Sequence, residues 1–122
     1  MHAVIVFAHG SRDPLWRLPV EALAQAIAQR PCGVAVRCAY LELCAPTLPE
    51  AAAELVAAGA REVRVLPLFF GMGKHAREDL PQQMHALQQR HPAVAFRLLP
   101  TAGENPKLLQ VLADMALEAP QP

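Results

Sequence analysis

Residues 3–14 read AVIVFAHGSRDP, and the first half of that stretch decides the architecture. Residues 3–8 form an unbroken apolar run with β-branched side chains and no alternating polar positions. A strand with one wet face alternates; an unbroken run suits a parallel strand covered on both faces. The run stops at His9-Gly10, where glycine permits a sharp turn, and either Ser11 or Asp13 could cap a following helix. Val20, Leu23, Ala24 and Ile27 then share one helical face, with Glu21, Gln25 and Gln29 opposite. Pro14 and Pro19 could each occupy a first turn, so the start of this helix stays open between them.

The same strand-then-helix unit recurs three times. Residues 34–41 read as the second strand, and Thr47 and Glu50 have capping-box spacing ahead of an Ala-rich helix with Gly59 as its stop. Residues 62–70 read as the third strand. Pro67 cannot donate to a ladder and marks where pairing gives way to a loop. Leu80, Met84 and Leu87 give the next helical stripe, and residues 93–99 the fourth strand. Asn105-Pro106 is a cap followed by a first-turn proline, and Leu108, Leu112 and Met115 form the last stripe. Strands alternating with helices imply right-handed crossovers and an α/β three-layer sandwich, a flavodoxin-like arrangement on a four-stranded parallel sheet. The expected strand order is 2-1-3-4. Without repeats or linkers, residues 1–122 read as one domain.

Composition narrows the function. Of 122 residues, 53% are apolar and only 18% charged, which excludes a disordered chain. Eleven basic residues balance eleven acidic ones, so no nucleic-acid or membrane-surface partner is expected. No apolar run reaches membrane-spanning length, and the opening MHAVIVFA lacks a basic leader, reading as strand rather than signal peptide. Cys32, Cys38 and Cys44 are odd in number and lack Cys-x-x-Cys spacing, which suits idle thiols in a reducing cytoplasm.

In open parallel sheets, ligands bind beyond the carboxyl ends of the strands, where strand order reverses. With the order 2-1-3-4, His9 ends strand one and His75 follows strand three after Gly71-Met72-Gly73, so both converge on that place. Neutral imidazole is the commonest metal ligand. Glu42, after strand two, could be a third ligand or a proton acceptor. Arg12, Lys74 and Arg77 lie near the expected cleft and could receive an anionic substrate. Each of these residues also has a bland reading: a structural histidine, a flexible turn, a solvated charge. His2, His85 and His91 read as incidental, the last sitting at a helix C-terminus. Gly71-x-Gly73 lacks a Gly-Lys-Ser/Thr ending, so ATP chemistry is not indicated.

The pieces FAHGSRDP (7–14), AYLELCAPTLPEA (39–51), VLPLFFGMGKHAREDLP (65–81) and GENP (103–106) resemble the short sirohydrochlorin chelatases, relatives of the anaerobic cobaltochelatases and class II ferrochelatases. The resemblance spans nearly the whole chain and implies a chelatase-like fold. It further implies ATP-independent insertion of Co2+ or Fe2+, with Ni2+ a further candidate, into sirohydrochlorin on the way to cobalamin or sirohaem. It maps the two family histidines onto His9 and His75, as metal ligands and catalytic groups, beside Glu42. Ser11, Arg12, Met72, Lys74 and Arg77 are the expected substrate contacts. No permanently bound cofactor is expected, since the metal is a substrate. Lys74 stands where the family often has glycine, and the His-rich tail of some relatives is absent. The length matches a half-size form, for which a cytoplasmic homodimer enclosing the tetrapyrrole is expected. A chain of this length has a radius of gyration of roughly 14 Å, so two copies enclose a macrocycle more readily than one.

Three other readings compete. A metal or tetrapyrrole carrier could use the same histidines. A histidine phosphatase would place Arg before the histidine, where this chain has Ala8. A plain flavodoxin-like interaction domain would leave the paired histidines without a purpose.

Overall fold

The computed structural model describes residues 1–119, so the last three residues of the expected 1–122 domain lie outside the described part. Its elements run β1 (His2–Ala8), α1 (Pro14–Ala28), β2 (Ala35–Tyr40), α2 (Leu48–Ala57), β3 (Glu62–Pro67), α3 (Lys74–Arg90), β4 (Ala95–Leu98) and α4 (Pro106–Leu117), with a 3-10 turn at Ala102–Glu104. The four strands form a parallel sheet in the order β2-β1-β3-β4, as expected. No helix of the described residues is long and apolar enough to cross a membrane.

β1 is central and covered on both faces. Ala3, Ile5 and Phe7 meet Leu48, Ala51, Ala52 and Leu55 of α2 and Leu80, Met84 and Leu87 of α3. Val6 and Ala8 meet Val20 of α1 and Tyr40, with Val4, Leu23 and Ile27 packed alongside. The unbroken apolar run therefore serves two cores, alternate residues feeding each.

Local chemistry sets the boundaries. Asp13 caps α1, accepting from the Leu15 amide at 2.9 Å, so Pro14 takes the first turn and Pro19 lies inside the helix. Thr47 and Glu50 complete their capping box, and α2 ends in a Schellman arrangement: the Ala60 amide donates to Leu55 and the Gly59 amide to Val56. β3 stops at Pro67, three residues before the expected end. Amides alternate sides along a strand; Leu68 donates to Phe7 on β1, so position 67 faces the β4 side. There β4 has already left after its Val65–Leu98 pairing, and a missing N–H costs nothing. α4 forms where expected, yet none of its residues is fully buried: of its stripe, Leu108 and Leu112 are half-buried and Met115 is exposed.

Both outer strands carry side chains on their free edges. The Gln88 carboxamide donates to the Val94 carbonyl at 2.6 Å and accepts from the Phe96 amide at 3.1 Å, taking the place of a neighbouring strand on β4. On β2, Arg37 donates to the Val36 carbonyl at 2.9 Å and is held by Glu54 at 3.2 Å, while the Tyr40 amide donates to Pro46. Such guards discourage strand addition.

Candidate active site

The chain passes from β1 outward to β2 on one side and to β3 on the other, opening a crevice at the carboxyl ends of β1 and β3. His9 leaves β1 directly into this crevice region. Past the end of β2 the ladder continues: Leu41 donates to the Ala8 carbonyl at 2.9 Å and Glu42 to the His9 carbonyl at 3.1 Å. Gly10, at φ +102°, lies so close that a Cβ there would sit 1.8 Å from the Glu42 carbonyl oxygen. Only glycine fits both the left-handed backbone and that approach. The His9 and Glu42 loops are thus locked backbone to backbone.

Their side chains follow. His9 Nδ1 lies 3.6 Å from a Glu42 carboxylate oxygen, with the two side chains 58% and 55% exposed. This is an ion-pair distance rather than a tight hydrogen bond. The carboxylate faces Nδ1, so Nε2 is the nitrogen of this part-exposed ring that Glu42 does not engage.

His75 is the second residue of α3. It lines a small pocket of about 110 Å³ with Phe7, Leu41, Phe69 and Asp79. The Phe69 ring also meets His9 edge-on, with centroids 6.3 Å apart. Phe69 is therefore the residue shared by the two histidines. His9 and Glu42 are brought together; His75 approaches the same aromatic ring, and among the described residues no three of His, Cys, Asp or Glu gather as a metal-holding group.

The surrounding residues divide. Ser11 is engaged locally, its hydroxyl accepting from the Asp13 amide at 3.0 Å. Arg12, Lys74 and Arg77 are exposed. Lys74 opens α3, whose first turn has no side-chain cap, so free amides and two cationic side chains share one end of that helix. Met72 is half-buried against the core, whereas Phe70 is 69% exposed. Gly103 anchors this loop: its amide donates to Phe69, and a Cβ there would sit 1.7 Å from the Phe70 carbonyl oxygen.

The cysteines stay outside the site's chemistry. All three are free. Burial pushes the Cys38 thiol up, and burial with nearby Cys38 and Glu21 pushes the Tyr40 phenol up to about 12. Both shifts favour the protonated forms, and Cys38 packs with Val20 and Tyr40 on the α1 side of the sheet.

Sequence reasoning passed over Phe69, Leu41 and Asp79. Asp79 carried a signal: it lies four residues after His75, one turn along the same helical face. Phe69 carried none, because its role depends on the course of the loop after β3.

Comparison with known proteins places this geometry in a family. The CbiX family model matches residues 3–119. A sirohydrochlorin cobaltochelatase of Methanopyrus kandleri is 33% identical over 84 residues, 69% of this chain and 59% of that one. The namesake of Saccharolobus solfataricus is 35% identical over 82 residues, 67% and 62% of the two chains. The chain thus spans about three fifths of the curated relatives it matches. Among solved structures, the CbiX protein from Marinobacter aquaeolei VT8 superposes with a TM-score of 0.81 at 33% identity, covering 95% of this chain and 94% of that one. The sirohydrochlorin chelatase SirB of Bacillus subtilis subspecies spizizenii, solved with cobalt, shares the fold at TM-score 0.79 and 21% identity, with this chain covering 49% of it. With a match running from the first strand to the end of the last helix, and a sheet order shared with these structures, the chain belongs to the CbiX family.

Proposed function

We propose that this protein inserts a divalent metal, Co2+ or Fe2+, into sirohydrochlorin without ATP, as a step towards cobalamin or sirohaem. The observation that carries the reading is the His9–Glu42 pair at the carboxyl end of the sheet, with His75 across Phe69. It is supported by family membership and by relatives named sirohydrochlorin cobaltochelatase.

Insertion must strip water from the ion, seat it in the macrocycle and remove two pyrrole protons. In this proposal His9 Nε2 and His75 hold the incoming ion while leaving positions open to the macrocycle nitrogens. Glu42 orients the His9 ring and, being solvent-accessible, passes pyrrole protons outward. Arg12, Lys74, Arg77 and the uncapped first turn of α3 receive the substrate's carboxylates. Exposed Phe70 offers an apolar face to the macrocycle, with Ser11 and Met72 at its margin. The metal is a substrate, and no resident cofactor is involved. Residues 1–122 act as one domain, and two copies together enclose the tetrapyrrole. Free thiols fit a reducing cytoplasm.

The test is an anaerobic insertion assay of purified protein with Fe2+, Co2+ and Ni2+ against sirohydrochlorin, followed by absorbance. Many turnovers per chain above the uncatalysed rate are expected. Metalation that stops at one per chain would overturn catalysis in favour of carriage.

A further inference from the structure

We propose that Phe69 is a positioning residue for the metal: its ring, fixed to the fold, sets how far apart His9 and His75 stand and how they face each other. The inference deepens the proposed function and rests on the metal role given there to the two histidines.

Apart from Phe69, little fixes the two imidazoles relative to each other. The His9 side chain is 58% exposed, and Glu42 meets it at 3.6 Å, longer than a tight hydrogen bond. His75 is exposed and belongs to the first turn of α3, which has no side-chain cap. The chain reaches it from β3 through residues 71–73, where a Cβ at Gly71 or Gly73 would meet nothing within 4 Å. Neither the Glu42 pair nor that loop sets the distance between the histidines.

The base of Phe69, by contrast, is anchored. The amide of the preceding Leu68 donates to the Phe7 carbonyl on β1 at 2.7 Å, and the Phe69 carbonyl accepts from the Gly103 amide at 2.9 Å. Gly103 is pressed against the same loop, with room for no Cβ beside the Phe70 carbonyl. The Phe69 ring also meets the Phe7 ring edge-on, with centroids 5.9 Å apart at 80°, and Phe7 is buried in the core. This is a favoured aromatic geometry, here on a close-packed base.

From that base the ring borders both candidate ligands. It meets the His9 imidazole edge-on, centroids 6.3 Å apart at 77°, and it walls the pocket of about 110 Å³ that His75 also lines. Contact with a fixed ring restricts the rotamers open to each imidazole. A divalent ion needs its nitrogen donors at about 2 Å and in set directions, so holding them beforehand lowers the ordering cost of binding. Phe96 supplies the comparison. It is half-buried like Phe69 and packs against the same core, but it lies on β4 level with Val63, near the start of β3 and away from the site.

Titration of the full chain with Co2+ alone, followed by its visible absorbance, tests this without sirohydrochlorin. Phe69→Leu is expected to bind Co2+ about 10-fold more weakly than the parent, the low end of what losing a supporting contact around metal ligands costs. The visible band of bound Co2+ reports the arrangement of its ligands, and it should change in Phe69→Leu. Phe96→Leu should keep the parental affinity and band, because loss of packing alone does not reach the metal. Parental affinity or an unchanged band in folded Phe69→Leu, or the same changes in Phe96→Leu, would overturn the proposal. If Phe69→Leu does not fold, Phe69→Met, a flexible filler without a ring, is read by the same criteria. His9→Ala and His75→Ala are titrated alongside. If both lose affinity while Phe69→Leu matches the parent, the role of Phe69 fails alone; if both bind Co2+ as the parent does, the metal role of the histidines fails and this inference with it.

Discussion

His9 Nδ1 faces the Glu42 carboxylate at 3.6 Å, and the same separation joins His2 Nδ1 to Glu62 at the opposite end of the sheet. The two pairs share their chemistry and differ in position: His9 stands at the carboxyl end of β1 and His2 at its start. The His2 pair is therefore an internal control. Glu42→Gln should keep the fold and lower insertion about 10- to 100-fold, the usual effect of removing a carboxylate that orients a ligating histidine. His9→Ala and His75→Ala should each lose most activity, and His2→Ala and His85→Ala should match the parent. Initial rates, corrected for uncatalysed metalation, check all five. Near-parental rates in Glu42→Gln would remove the carboxylate from the reaction.

Gly10 and Gly59 share a left-handed backbone, at φ +102° and +101°, but differ in surroundings. A Cβ at Gly59 meets nothing within 4 Å, whereas at Gly10 it would strike the Glu42 carbonyl. Gly59→Ala therefore carries only the backbone penalty, about 1 kcal/mol. Gly10→Ala must also push the two site loops apart, for a cost of about 3 kcal/mol and a loss of insertion activity. Urea unfolding of both variants measures the difference; equal stabilities would mean the His9 and Glu42 loops are not locked as described.

The sheet was readable because its signals are local and redundant. The apolar run in β1, the Thr47–Glu50 box and the Asn105-Pro106 start each act within a few residues and agree with one another. The common order 2-1-3-4 was the expected one and brought His9 and His75 to one end of the sheet, whereas the pairing of His9 with Glu42 emerged from the structure. Other features depend on partners remote in sequence. β3 ends at Pro67 because β4 departs there, which residues 62–70 alone do not reveal. The stripe of α4 has helical spacing whether or not anything covers it. Phe69 reaches both histidines only through the path of residues 71–73, where glycines leave the backbone free.

Acid should weaken the fold partly through Glu62. A hydrogen bond from Arg64 at 2.6 Å, aided by the Arg64, His2 and Arg97 charges, holds its carboxyl below the usual carboxylate range. The unfolded chain then binds this proton more readily than the folded one. The contribution is complete above the unfolded value, about 4.3, and is lost as pH falls through the lower folded value. Glu50 acts in the same direction through its bonds with Thr47. Glu62→Gln should flatten the stability profile in that acid window and leave the slope above pH 6 unchanged, as denaturant midpoints at a series of pH values will record.

Gln88 gives the most specific prediction about the sheet edge. Its carboxamide presents a donor to the Val94 carbonyl and an acceptor to the Phe96 amide, the two outward groups a further strand would use. Both groups belong to part-buried contacts, so removing the amide leaves them without partners at a cost of about 1–3 kcal/mol. Gln88→Ala should therefore unfold at lower urea and, with an open β4 edge, scatter more light on standing. Gln88→Glu separates the two roles. It keeps an acceptor for Phe96 but sets a carboxylate oxygen against the Val94 carbonyl, where the parent amide donates at 2.6 Å. Repulsion there should make it at least as unstable as the alanine variant at neutral pH and better than alanine once acid protonates the side chain and restores a donor. A Gln88→Glu protein as stable as the parent at neutral pH would mean that the Val94 bond contributes nothing and that the β4 edge is guarded by other means.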